Sequence, residues 1–328
     1  MVRIRNTYRV FILLSFMLPG LHAVTQDVIF SQFYFNPLYL NPAFAGSRSV
    51  PRLALQYRNQ WPSLGNAYKT TFASIDFPVP KLQGGMGFSI VNDMQAEGSY
   101  QSLGINAIYA TFIRIDREFH MHGAIQATIG HQSLHLSKLV FPDQVDPVYG
   151  KHGISSELVY LADPRFTYID FSSGVLFYSQ KFFGGLVARH LGEPAQSFNT
   201  GQEGSGKLYR KYTVHLGARL PVFLYGHHRK KFDLSPQFIM QYQQHLGQLN
   251  YGMLAYFKGL TAGTWFRQNL GLRYDAVILM VGFARERWQI SYSHDIVVSG
   301  LWGDTGGTGE ISLVFLLKPI TRKQIIPF

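Results

Sequence analysis

Arg52-Leu53-Ala54-Leu55-Gln56-Tyr57-Arg58 alternates two chemistries along one strand's length: Leu53, Leu55 and Tyr57 share a face, and Arg52, Gln56 and Arg58 share the other. Successive side chains of a β-strand point to opposite sides, so this is a strand between two different surroundings. The pattern recurs downstream. Lys211, Thr213, His215, Gly217 and Arg219 alternate with Tyr212, Val214, Leu216, Ala218 and Leu220. Ile290 and Tyr292, extended by Trp288 and Ile296, alternate with Gln289, Ser291, Ser293 and Asp295. Near the end, Ile311, Leu313, Phe315 and Leu317 alternate with Glu310 and Ser312.

Strands of this kind are predicted at 52–60, 67–77, 84–93, 99–113, 118–135, 168–180, 182–194, 209–223, 232–245, 247–259, 260–269, 274–285, 287–298 and 308–317. The count is about fourteen, an even number, and the lengths suit membrane-crossing strands of about 9–11 residues. The expected fold is all-β: a transmembrane antiparallel outer-membrane β-barrel over residues 52–317, with an N-terminal luminal or periplasmic segment. A soluble sandwich also alternates, but its centre is dry and its polar face is outermost. Here the polar face is rich in small hydrogen-bonding groups, as in Ser102, Gly104, Asn106, then Gln126, Thr128, Gly130, then Asp170, Ser172, Gly174. That suits a wet or plugged lumen. Tyr109, Phe177, Tyr178, Tyr242 and Trp288 fall toward strand ends, where an interfacial aromatic girdle would lie.

The bulk properties agree. Of 328 residues, 46% are hydrophobic, 15% aromatic and only 15% charged, which excludes a disordered chain. No apolar run reaches the roughly 18 residues of a membrane-spanning helix. Arg3, Arg5 and Arg9 precede an apolar stretch, Val10 to Leu18, broken by Pro19-Gly20 and followed by Ala23 and Thr25. Residues 1–25 therefore read as a secretory signal peptide, cleaved after Ala23 or Thr25. With no cysteine, lipoprotein anchoring, disulfides and thiolate metal sites are excluded. The formal charge of +11 falls to about +8 without the leader arginines. In an exported protein this points to anionic lipid or an acidic protein face rather than nucleic acid.

If the first strand starts at the periplasm, connections after odd-numbered strands face outward. The three longest, about 136–167, 195–208 and 299–307, all do, as barrel architecture requires. The opposite rim then collects Arg114, Arg117, Lys181, Arg229, Lys230, Lys231, Lys258, Arg285 and Arg287, with Lys318, Arg322 and Lys323 in a periplasmic tail, 318–328. Two readings of that rim stand: solvated cations touching phospholipid headgroups, or a docking surface for an acidic periplasmic partner, centred on Arg229, Lys230 and Lys231.

Little of the chain looks catalytic, and no cofactor or metal site is expected. His120 and His122 share one strand face and His131 and His135 the other, without carboxylates at metal-binding spacing. Asp143, Asp146 and Asp163 lie in the longest outer loop but lack calcium-loop spacing. Gly303-Asp304-Thr305-Gly306-Gly307-Thr308-Gly309 lacks the Gly-Lys-Ser/Thr ending of a phosphate loop and precedes a strand, so it reads as a turn.

The unusual stretch is FSQFYFNPLYLNPAFAGS, Phe30 to Ser47. It places Phe30, Phe33, Tyr34, Phe35 and Tyr39 close together, with Asn-Pro steps at Asn36-Pro37 and Asn41-Pro42. The prolines do not suit an interior strand, and the rings are too apolar for water. Residues 26–51 are therefore expected in the lumen or on the periplasmic rim as a plug or partner-binding segment, with Phe30, Phe33, Tyr34, Phe35, Asn36, Pro37, Asn41 and Pro42 as its candidate contacts.

This stretch resembles the opening signature of the PorP/SprF family of the Bacteroidetes type IX secretion system. Further resemblances follow in order: Tyr57-Arg58-Asn59-Gln60-Trp61-Pro62, Ser74-Ile75-Asp76-Phe77-Pro78, Gly84-Gly85-Met86-Gly87-Phe88, Ser291-Tyr292-Ser293-His294-Asp295 and Gly309-Glu310-Ile311-Ser312-Leu313. The loop at 136–167 and the tail from Lys318 depart from the family pattern. The resemblance implies a non-enzymatic outer-membrane barrel serving protein export or gliding motility. Implied partners are periplasmic ring, motor or translocon proteins and a secreted adhesin-like cargo. The residues alone also leave open a plugged solute-transport barrel and, with less support, a membrane-bound hydrolase.

Overall fold

The structure is a computed structural model; it describes residues 27–64, 68–116, 118–136, 144–146, 150–151, 165–196, 206–223, 230–300 and 303–317. Its strands are β1 (Arg52–Gln60), β2 (Tyr68–Val79), β3 (Gly84–Gln95), β4 (Tyr100–Arg114), β5 (His120–Leu134), β6 (Arg165–Tyr178) and β7 (Phe182–Arg189). After these come β8 (Lys211–Ala218, continued by Leu220–Phe223), β9 (Lys230–Gln243), β10 (Leu246–Phe257), β11 (Leu260–Asn269), β12 (Tyr274–Ala284), β13 (Trp288–Val297) and β14 (Thr308–Leu316). Each pairs antiparallel with its sequence neighbours, and β1 pairs with β14 from Arg52↔Leu316 to Gln60↔Thr308, which closes a 14-strand barrel. Among the described residues no helix is long and apolar enough to cross a membrane.

The distribution of chemistry is the inverse of a soluble protein's. Ile125, Ile129, Ile169, Phe171, Leu186, Leu216, Leu279 and Val281 are exposed on the outer wall, while Arg52, Arg58, Asp76, Asp170, Asp295 and Glu310 are buried inside. A continuous apolar outer belt is unstable in water and stable against hydrocarbon. Local turn chemistry sets the short connections. Lys258 and Gly259, at φ 47° and 90°, form the two-residue hairpin from β10 to β11, since positive φ at both positions matches the strand twist.

Three expectations need correction. Tyr178 is not part of an aromatic girdle: it points into the lumen, where its hydroxyl lies 2.7 Å from His122 Nε2. The strand expected to reach 194 stops at Arg189, because His190 (φ 55°) and Glu193 (φ 44°) turn the chain out of the ladder. The strand expected without interruption over 209–223 breaks at Arg219. Its amide donates to Lys181 O at 2.7 Å instead of to Ser235 opposite, and the residue before it, Ala218, lies opposite Pro236, which has no N–H to offer.

Residues 27–51 thread the lumen. They contain a 3₁₀ turn at Phe33–Phe35, one helical turn at Pro37–Leu40 and a second 3₁₀ turn at Pro42–Phe44. Both prolines open their turns, where a missing N–H goes unmissed. Phe30, Phe33, Tyr34, Leu38, Leu40 and Phe44 pack on inward Phe72, Ile108, Leu176, Phe183 and Ile239, and Phe35 packs on Leu254, Trp265, Ile278 and Met280. The barrel thus has a dry core at mid-depth where most of its inner wall is polar.

Candidate functional site

The luminal segment is held at points along its length by charges that the strands aim inward. At Ser31-Gln32, both backbone amides donate to the Glu310 carboxylate, one to each oxygen, at 2.8 Å. Arg58, directly opposite Glu310 in the β1–β14 ladder, donates to the same carboxylate at 3.0 Å, and Gln56 also donates to it. The Ser31 hydroxyl donates to Asp295 at 2.6 Å, and Arg267 donates to Asp295 at 2.7 Å. Gln32 accepts from Ser291 at 2.6 Å and donates to the Glu310 carbonyl at 2.8 Å. Charge-assisted bonds are the stronger kind, and here they are shielded from water.

The Asn41-Pro42 step sits in a niche made by missing side chains. The Asn41 amide donates to Val175 O and to His215 Nε2, both at 3.0 Å, while its oxygen accepts from the Ala43 N–H at 2.9 Å. A Cβ on Gly174 would lie 2.3 Å from the Asn41 oxygen, and one on Gly185 would lie 2.6 Å from its nitrogen. His122 stacks on Phe112 at 4.0 Å and donates from Nδ1 to the Ala43 carbonyl at 3.1 Å. Lower down, Gly46 (φ 65°) donates to Asp76, which also takes Nε of Arg52, both at about 2.8–2.9 Å. Gly46 and Gly85 touch backbone to backbone, so neither tolerates a Cβ.

The leading end of the segment is held by charge. His190 bridges Asp27 at 2.9 Å and Asp170 at 2.8 Å, and Lys211 lies 3.7 Å from Asp27. Burial alone would push His190 down, but the Asp27 and Asp170 carboxylates on its two nitrogens hold it up at about 9. Burial alone would push Asp27 up, but His190, Lys211 and Arg189 outweigh it and hold Asp27 well below the usual carboxylate range. A raised histidine favours docking fully below its free value and loses that advantage as pH climbs through the docked one. A depressed carboxylate loses its advantage as pH falls. The leading end is therefore held most firmly between about pH 4 and 6.5 and loosens toward pH 9. Amide hydrogen exchange at residues 27–30 is expected to accelerate from pH 6.5 to 9.5 beyond the intrinsic base-catalysed trend. His190→Gln should abolish that excess, and an excess surviving in the variant would sink the assignment.

The segment divides the lumen. Toward the long loops lies a cavity of about 820 Å³ lined by Asp27, Arg58, Asp93, Lys211, Arg267, Asp275 and Asp295, among others. Toward the short turns lies a cup of about 460 Å³ whose floor includes Tyr34 and Phe35. In that cup Arg219 bonds Asp233 at 3.1 Å and lies 4.5 Å over the Tyr256 ring. Burial, then the Arg52 and Arg219 guanidiniums, lower Arg48 to about 10, with Asp76 opposing.

The candidate contacts Phe30, Phe33, Tyr34, Phe35, Asn36, Pro37, Asn41 and Pro42 are all buried. In this structure they engage the barrel's own wall, not a free surface. Arg229 lies outside the described residues, and Lys230 and Lys231 open β9 at the short-turn rim. Arg117, Asp143, Asp163, Lys318, Arg322 and Lys323 also lie outside the described residues. Among the described residues no three acidic or histidine side chains are grouped as a metal site. The gripping residues Arg58, Asp76, Arg267, Asp295 and Glu310 escaped sequence reasoning. Their signal was there: charges of both signs at mid-strand positions of the polar face, in a chain with few charges.

A family profile described as "Type IX secretion system membrane protein PorP/SprF" matches residues 23–315. No curated protein matches the chain in sequence. Among solved structures, the Ralstonia pickettii toluene transporter TbuX aligns at a TM-score of 0.49 and 9% identity, over 86% of this chain and 93% of that one. The monoaromatic hydrocarbon channel CymD aligns at 0.46 and 9%, over 89% and 95%. A Pseudomonas aeruginosa FadL homologue aligns at 0.42 and 12%, over 84% and 92%. Likenesses this distant say nothing about what is bound or carried.

Proposed function

The chain belongs to the PorP/SprF family of type IX secretion system membrane proteins, and from that membership and the filled lumen we propose that it acts as a non-conducting anchor supporting export or surface attachment of adhesin-like cargo. Family and fold are those of an outer-membrane secretion barrel and not of a known enzyme class. The finer reading includes export through a leader at 1–25 and contact with periplasmic ring, motor or translocon proteins at the short-turn rim, with lipid headgroups around it.

One observation supports this reading above the rest. Five separate strand motifs converge on one luminal segment: Arg58 from the first, Asp76 from the second, Gly85 and Gly87 from the third, Asp295 from the fourth and Glu310 from the fifth. So many contacts make the segment part of the wall, which suits an anchor; plugged transporters also fill their lumens, so cargo export and solute uptake decide between the two readings. The test is genetic. Deleting the gene is expected to leave one secreted cargo trapped in cells while uptake of small solutes is unchanged. Normal cargo export with impaired uptake would reverse the assignment in favour of a solute-transport barrel.

A further inference from the structure

Three amides stand side by side in the wall of the long-loop cavity. Gln241 of β9 lies directly opposite Gln248 of β10, and Gln248 directly opposite Asn269 of β11. Neighbouring strands are about 4.8 Å apart, so the row spans roughly 10 Å. Asp275, at the start of β12, extends it by a carboxylate. All four side chains are half-buried and line the same cavity of about 820 Å³. That volume falls among small-molecule sites, which run from about 300 to 1,000 Å³. The row is not consumed by the protein. Among the described residues, the side chains of Gln241, Gln248 and Asp275 make no hydrogen bond or ion pair. Oε1 of Gln241 is shielded from water as well, and a shielded acceptor without a donor is unfavourable. Asn269 uses only its oxygen, which accepts from the Arg273 N–H at 3.1 Å. Arg267, the cation whose field reaches Asp275, is itself bonded to Asp295 at 2.7 Å.

We infer that this row is a binding site for a neutral saccharide chain that enters from the long-loop side. A primary amide both donates and accepts, and a carboxylate accepts at two oxygens. The complementary ligand therefore carries groups that donate and accept together at regular intervals, as sugar hydroxyls do. A hydroxyl placed between Asn269 and Asp275 accepts from the amide while donating to the carboxylate, a relay in which each bond polarises the next. Other ligand classes fit less well. Anions are repelled by Asp275, and among the described residues no three acids or histidines group to hold a metal ion. A peptide strand finds no edge, because β9 to β12 are each paired on both sides. The site is independent of cargo export, since none of its four side chains grips the luminal segment.

The test uses the full-length barrel in nanodiscs of zwitterionic lipid, titrated calorimetrically with maltohexaose, isomaltohexaose and cellohexaose. Saturable binding of at least one sugar is expected, weakened about ten-fold or more in Gln241→Ala/Gln248→Ala. Asp275→Asn keeps the shape of the wall and removes an acceptor, so it should weaken binding severalfold even if the double variant folds poorly. Lys81→Gln, on the opposite rim, should change nothing. A polyethylene glycol of similar length, whose ether oxygens accept but cannot donate, should not compete. Failure of all three sugars to bind, full affinity in the amide and carboxylate variants, or equal competition by the glycol would overturn the site. Lipopolysaccharide then separates two sources of the same chemistry. Displacement of the sugar by the full glycan but not by lipid A supports the site and assigns it to the membrane's own saccharide. Undisturbed binding supports a soluble one. Displacement by lipid A alone overturns a saccharide site.

Discussion

Glu310→Ala is expected to free the luminal segment to protease while the strands stay closed. The substitution removes the acceptor of the Ser31 and Gln32 amides and leaves Arg58 without the carboxylate facing it across the β1–β14 ladder. Removing one partner of a buried ion pair costs roughly 3–5 kcal/mol, and each orphaned buried amide about 1–3 more. Even the lower figure raises the undocked population about a hundred-fold. Chymotrypsin suits the measurement, since Phe30, Phe33, Tyr34, Phe35 and Tyr39 lie within ten positions. Cleavage there should become fast in the variant and stay slow in the parent. Arg58→Leu combined with Glu310→Leu removes both charges and should recover part of the protection. Identical cleavage of parent and Glu310→Ala would mean that the carboxylate does not hold the segment.

Deleting residues 27–50 should turn a silent barrel into a pore. With the segment in place, Phe30 to Phe44 form a packed core across mid-lumen. Without it, a 14-strand ring keeps a polar inner wall lined by Asn106, Gln126, Asp170, Ser172 and Thr213. Barrels of this size with polar interiors hold water channels, so conductance in planar bilayers is expected to rise at least roughly ten-fold. Gly185→Val offers a subtler route, because its side chain would collide with His215 Nε2, the Asn41 amide and the Val175 carbonyl. Ohmic conductance in the full-length protein, unchanged on deletion, would show that the segment does not seal the lumen and would favour solute transport.

The strand count and facing were legible in residues such as Leu53, Leu55 and Tyr57 because a barrel's two surroundings impose a local, two-residue rhythm. Residues 260–285 form β11 and β12, whose small and aliphatic residues alternate around Trp265 and Ile278. The strand ends were less legible. His190 leaves its ladder because a carboxylate waits at each ring nitrogen, which is tertiary information absent from its neighbours in sequence. The oddity of Phe30–Ser47 was plain from its rings and prolines. Its receptor was not: Glu310 lies 279 residues from Ser31, and Asp295 lies 264 away. Nothing local distinguishes a carboxylate that grips a distant amide from one that merely lines a wet wall.

The grip at Ser31-Gln32 also fixes an order in time. Arg58 belongs to the first strand and Glu310 to the last, and the seam between them is the one that makes the sheet a cylinder. Ser31 and Gln32 therefore have no complete docking place until the final strand has been made and delivered. Once β14 pairs with β1, the same event that shuts the wall clamps what lies inside it. A copy of the protein interrupted before β14 would lack both the seam and the clamp, leaving its aromatic segment unshielded for quality control to find. Correct closure and correct filling are, by this geometry, a single step.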